Sequence, residues 1–94
     1  MQTLKQVSVE QRLVTEIPNI TEMEEQLIYI SLEYKTASHL CLCGCKNLTV
    51  TPLGIGWWTI FIERGKINIQ PSIGNFQFDC KSHYIIKNGI ANFV

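Results

Sequence analysis

Ninety-four residues with 46% hydrophobic and 17% charged side chains suit one small globular domain, residues 1–94, with a modest core. Eight basic residues balance eight acidic ones, so the dense basic surface that a nucleic-acid partner requires is missing. The longest mostly apolar run, Leu53 to Ile62, falls well short of the ~18 residues of a membrane span, and the start, Met1 to Gln6, has no apolar signal core. A soluble cytoplasmic protein is expected, with neither a membrane nor a nucleic acid as partner.

In chain order the pattern is mostly strands. Lys5 to Ile17 alternates loosely, through Val7, Val9, Leu13, Val14 and Ile17, so a strand and a short helix both fit before Pro18-Asn19 ends it. Thr21 followed by Glu22 and Glu24 has the form of an N-cap with acids in the first turn, which predicts one helical turn or a loop over Ile20 to Glu25. Residues 1–26 read as a short irregular N-terminal extension to a core of about 27–94. Leu27 to Leu32, β-branched and aromatic with no breaker, predicts a buried strand. Leu48 to Pro52 and Trp57 to Glu63 predict two more, the latter turning at Arg64-Gly65-Lys66 into Ile67-Asn68-Ile69. Pro71 to Asn75 has the composition of a loop, in which Asn75 would stabilise its own turn. His83 to Lys87 and Ile90 to Val94 predict a last hairpin around Asn88-Gly89. The fold class is all-β: two small sheets in a sandwich or a half-open barrel, stapled by a metal at one end.

The staple is read from the cysteines. All four lie in two short runs, Cys41-Leu42-Cys43-Gly44-Cys45 and Cys80-Lys81-Ser82-His83, not scattered as packing residues would be. Neighbours spaced this closely cannot form unstrained disulfides with one another, and cytosolic thiols stay reduced. Two clusters of thiol and imidazole donors across a strand-rich segment are instead what one tetrahedral Zn2+ per chain needs. Five candidates, Cys41, Cys43, Cys45, Cys80 and His83, compete for four places. Either one cysteine stays out, or His83 supports four thiolates from outside. His39, two residues before Cys41, reads as a hydrogen-bonding neighbour of the site and not as a ligand.

The second cluster also carries a resemblance. Pro71-Ser72-Ile73-Gly74-Asn75-Phe76, Phe78, Cys80, Ser82-His83-Tyr84 and Ile86, with Glu33-Tyr34, Thr36-Ala37, His39, the cysteine run and Val50-Thr51-Pro52-Leu53, resemble a small bacterial family of uncharacterised zinc-binding β-domains. The resemblance runs from about Leu27 to the C-terminus. It implies a zinc-binding β-domain encoded beside ubiquitin-like proteins and their activating, conjugating and deconjugating enzymes, whose components would be its partners. Some members carry an ammonia monooxygenase label, which nothing in these residues supports. Lys46 replaces a second glycine of many relatives, and Gly54-Ile55-Gly56-Trp57 replaces a more polar stretch.

Three function classes follow. A closed structural zinc site contributes folding free energy, on the order of 10 kcal/mol in small modules, and makes the domain an accessory or binding module for ubiquitin-like conjugation. A zinc-dependent hydrolase with an open metal position is the alternative, weakened because three or more thiolates blunt the Lewis acidity of the ion and no His-Glu-x-x-His pattern is present. Redox or iron–sulfur chemistry is the third, without a Cys-x-x-Cys motif to support it. Ser82 beside His83 suggests a nucleophile, yet no base-and-orienter set is readable around it. Glu33 and Asp79 read as solvated acids. Of the consecutive Trp57 and Trp58, one faces the core and the other solvent, and Phe76 and Phe78 pack beside the site.

Overall fold

The computed structural model describes residues 5–94; the first four residues of the start read above as lacking a signal core lie outside them. Among the described residues nine strands run in the order β1 (Gln6–Ser8), β2 (Glu10–Leu13), β3 (Leu27–Ser31), β4 (Thr36–Leu40), β5 (Leu48–Pro52), β6 (Thr59–Glu63), β7 (Lys66–Asn75), β8 (Ser82–Lys87) and β9 (Ile90–Phe93). They form a five-stranded sheet, β1-β9-β8-β7-β6, and a four-stranded sheet, β2-β3-β4-β5, neither closed into a barrel. Every pair is antiparallel but β2 with β3. No helix is long and apolar enough to cross a membrane among the described residues.

Alternation explains the packing. Ile67 and Ile69 of β7, Tyr84 and Ile86 of β8, and Ala91 of β9 point inward from one sheet and meet Ile28, Ile30 and Ala37 of the other. All five residues of β3 are buried because both its faces are covered. Ile28 and Ile30 serve the main core, while Leu27 and Tyr29 join Met23 and Leu40 in a second cluster, against which Val14 and Ile17 pack. The tight turns lie where the residue types allow them: Arg64-Gly65 and Asn88-Gly89 both adopt positive φ, the backbone of a two-residue hairpin loop.

Several elements differ from the sequence expectation. The N-terminal segment is not an irregular appendage: β1 pairs with β9 and β2 with β3, giving an edge strand to each sheet. The turn at Ile20–Glu22 is a 3-10 turn capped by Asn19, whose side chain accepts from the Thr21 backbone N–H, so the cap lies two residues before the predicted one. The strand after the tryptophans starts only at Thr59. The largest departure is Pro71–Asn75, which is strand and not loop. The β7–β8 register jumps from Ile69↔Ile86 to Ile73↔Tyr84, so three residues of β7 oppose one of β8. Pro71 has no N–H to give the ladder, and the bulge around it absorbs that loss while Ile73 and Asn75 return to the core.

Candidate metal centre and serine–histidine pair

The β4–β5 connection and the β7–β8 turn meet at one end of the sandwich. Gly44, at φ +100, takes a backbone conformation that a side chain disfavours, and its N–H returns to the Cys41 carbonyl at 3.2 Å. The tight loop brings Cys43 and Cys45 back toward Cys41. From the opposite sheet, Cys80 arrives on a turn held by Phe78 N–H to Asn75 C=O and Lys81 N–H to Phe78 C=O. All four sulfurs lie within 4.8 Å of one another, and three pairs are 3.5–3.7 Å apart. A regular tetrahedron with 2.3 Å zinc–sulfur bonds has sulfurs about 3.8 Å apart, so the spacing fits a metal ion.

The surroundings fit as well. Each sulfur receives a donor: Cys41 from Asn75 Nδ2 at 3.3 Å, Cys43 from the Cys45 N–H at 3.3 Å, Cys45 from Asn47 Nδ2 at 3.2 Å, and Cys80 from Ser82 Oγ at 3.2 Å. Neutral thiols accept weakly, whereas metal-bound thiolates accept well. Without a cation the cluster cannot ionise fully. Burial pushes the Cys41 thiol up to about 12. Cys43 is held down at about 6: burial opposes its ionisation, and hydrogen bonds from Ser82, the Cys45 backbone and the neighbouring thiols outweigh it. Cys80 is also lowered, first by the Ser82 hydroxyl. A divalent cation would supply the charge that lets all four ionise.

His83 is not part of this gathering. On β8 successive residues alternate, with Ser82 and Tyr84 buried and His83 between them only partly so. The imidazole faces the outer side of the five-stranded sheet, where its Nε2 lies 2.7 Å from Ser72 Oγ. Ser72 stands in the β7 bulge, where Trp58 Nε1 donates to its carbonyl at 3.3 Å. Gly74, paired with His83, leaves room for the Phe76 ring, whose centroid is 5.4 Å from that of the imidazole. Among the described residues no acidic side chain bonds to His83. Sequence reasoning weighed Ser82, whose hydroxyl instead donates to Cys80, and missed Ser72. The Ser72–His83 meeting depends on a bulged register across eleven positions, and the only signal was a serine inside the Pro71–Asn75 motif.

The other expected residues divide. His39 is fully buried, its Nε2 2.8 Å from the Tyr84 hydroxyl, while its Nδ1 has no partner. Burial lowers its pKa to about 4, so it is neutral near pH 7. Asn75, expected to serve its own loop, is buried, and the two N–H groups of its Nδ2 are shared among Cys41 Sγ, Thr49 Oγ1 and the Tyr84 hydroxyl. Burial, and next the nearby Cys41 charge, raise the Tyr84 hydroxyl well above the usual range. Trp57 is 59% exposed and Trp58 packs on the core, one out and one in as expected, although both precede the strand that starts at Thr59. Phe78 packs on the core too, whereas Phe76 lies outside against His83. Glu33 and Asp79 are exposed.

The fold and its chemistry define an open β-sandwich protein with a four-thiol centre able to hold a metal ion. The chain belongs to the BubE family, described as bacterial ubiquitination-like system serine protease, whose profile matches residues 13–94. No characterised protein and no solved structure shows significant similarity to it.

Proposed function

We propose that the chain is a serine-type hydrolase of a bacterial ubiquitin-like pathway, with Ser72 as nucleophile and His83 as general base. The observation that carries this reading is the 2.7 Å contact between Ser72 Oγ and His83 Nε2, the distance at which a hydroxyl passes its proton to a neutral imidazole. The description of the family as a serine protease of such a system supports the same assignment. In the tautomer protonated at Nδ1, Nε2 takes the Ser72 proton as Oγ bonds to the substrate carbonyl carbon. The imidazolium then protonates the departing amine or alcohol. Water, deprotonated by His83, releases the acyl group and restores the hydroxyl. The substrate class is the peptide, isopeptide or ester bond at the C-terminus of a ubiquitin-like protein, and the components of that system are the protein partners.

Cys41, Cys43, Cys45 and Cys80 would hold Zn2+ in a structural role, tying the two sheets together at the end that carries the pair. Four thiol donors fill a tetrahedron, which supports a closed site over a hydrolytic one with an open position. A cytoplasmic setting would keep the thiols reduced. Iron in the same donor set would make it a redox centre, and elemental analysis decides between the metals. A second reading, a zinc-stapled accessory module without catalysis, is favoured by one observation: no acid orients His83 among the described residues.

The test is a fluorophosphonate probe followed by peptide mass spectrometry. Covalent labelling at Ser72, abolished by His83→Ala in a folded protein, is the expected result. An unlabelled Ser72 in metal-loaded protein would leave the accessory-module reading in place.

A further inference from the structure

Asn75 occupies a position that the hydrolase reading leaves unused. Its side chain, 1% exposed, stands at the last β7 position, paired with Ser82 across the ladder. From there Nδ2 reaches three groups at once: Cys41 Sγ at 3.3 Å, Thr49 Oγ1 at 3.1 Å and the Tyr84 hydroxyl at 3.1 Å. A thiolate on a metal can only accept, which fixes the amide with nitrogen, not oxygen, toward the sulfur. Tyr84 carries the connection on to His39. One buried amide therefore joins a strand of each sheet, the β4–β5 loop and the most buried of the four sulfurs.

The other three sulfurs receive their hydrogen bonds differently. Cys45 N–H and Asn47 serve Cys43 and Cys45 from within their own loop, and Ser82 serves Cys80 from two residues away. Among the amide groups that donate to the sulfurs, Asn75 is the one that reaches across from the five-stranded sheet, to a partner 34 positions away in sequence. Asn75 also sits on the strand that carries Ser72, opposite the strand that carries His83.

We propose that Asn75 is the positioning residue of the metal centre: its amide orients the Cys41 thiolate and ties the Ser72–His83 hairpin to the bound ion. The inference rests on the four-cysteine metal site but not on hydrolysis. Partners that orient a ligand from outside contribute about ten- to a hundredfold to metal affinity or activity. A merely packed amide would contribute to stability and leave the metal–sulfur bond as it was.

The decisive experiment uses the intact protein loaded with 113Cd2+. A scalar coupling from the Asn75 side-chain amide protons to cadmium, through the N–H···S bond, is expected alongside one from the Cys45 backbone amide. Coupling at Cys45 with none at Asn75 would overturn the assignment. In parallel, Asn75→Ala should still bind one zinc but about tenfold or more weakly in competition with a chromophoric chelator. The cobalt-loaded variant should show a displaced sulfur-to-metal charge-transfer band. Unchanged affinity and an unchanged band would also overturn it. Cadmium binding without hydrolysis anywhere would sink the hydrolase reading alone, whereas failure to bind cadmium or zinc would remove the metal centre itself and this inference with it.

Discussion

The two faces of the β7–β8 hairpin use the same ladder for opposite purposes. Inward, Ile73, Asn75, Ser82 and Tyr84 are buried and bonded into the core and the thiol cluster. Outward, Ser72, Gly74 and His83 are partly exposed, and Phe76 lies over Gly74 against the imidazole. Because strand residues alternate at period two, a site for chemistry can sit one residue away from the parts that hold the fold. The inner face makes the hairpin rigid and the outer face inherits that rigidity. Damage to the inner face should therefore appear first as lost stability, and damage to the outer face as lost activity at constant stability.

The largest effect should come from the hairpin tip. Cys80→Ala removes the one thiol of the cluster that comes from the β7–β8 turn, and a structural zinc site of the proposed kind is worth on the order of 10 kcal/mol in small domains. Loss of bound metal and of the cooperative thermal transition is expected, read by elemental analysis and calorimetry. Next is a matched pair on one strand. Ile73→Ala should cost about 2–5 kcal/mol in denaturant unfolding, with activity per folded molecule largely kept. Ser72→Ala should shift stability by under about 1 kcal/mol while lowering turnover at least about a thousandfold. Equal stability losses in the two would break the division between faces.

A third test uses pH. His39, held near 4 in the fold against an ordinary 6.5, binds its proton more readily in the unfolded chain. Its contribution is complete above pH 6.5 and is lost as the pH falls from 6.5 toward 4, about 3 kcal/mol in all. Thiolate protonation and metal release act over overlapping acid conditions, so the quantity to follow is the difference between the protein and His39→Gln. That difference should slope over this window and flatten outside it. The smallest effect concerns Gly74. A methyl there would collide with the Phe76 ring, whose free end can swing away. Gly74→Ala should cost no more than about 1 kcal/mol while slowing hydrolysis measurably, because the ring would leave the imidazole.

Much of this architecture was legible where a residue type has one physical use. Four cysteines in two tight runs announced their own convergence. Leu27 to Leu32 read as a buried strand that in fact ends at Ser31, Asn88-Gly89 read as a hairpin turn, and Ile67-Asn68-Ile69 read as an alternating strand whose Asn68 is buried as well. What stayed hidden depended on register. Pro71, Ser72, Gly74 and Asn75 have the composition of a loop, and only the bulge against β8 shows that they continue a strand. The β4 strand, with Ser38 and His39 buried, lacks the usual β-branched run, and tertiary burial overrides its composition. Sequence grouped His83 with Cys80 by proximity, yet alternation turns it to the other face, toward a serine eleven residues away.

The measurement that bears most directly on the account is cleavage of a ubiquitin-like precursor from the same kind of bacterial system, carrying a C-terminal extension. The substrate is incubated with metal-loaded protein and followed by intact-mass spectrometry. Cleavage by the native chain, and none by a folded, metal-replete Ser72→Ala variant, is the expected result. Cleavage at the same rate by that variant would contradict it, and would return the Ser72–His83 contact to a packing feature of the outer face.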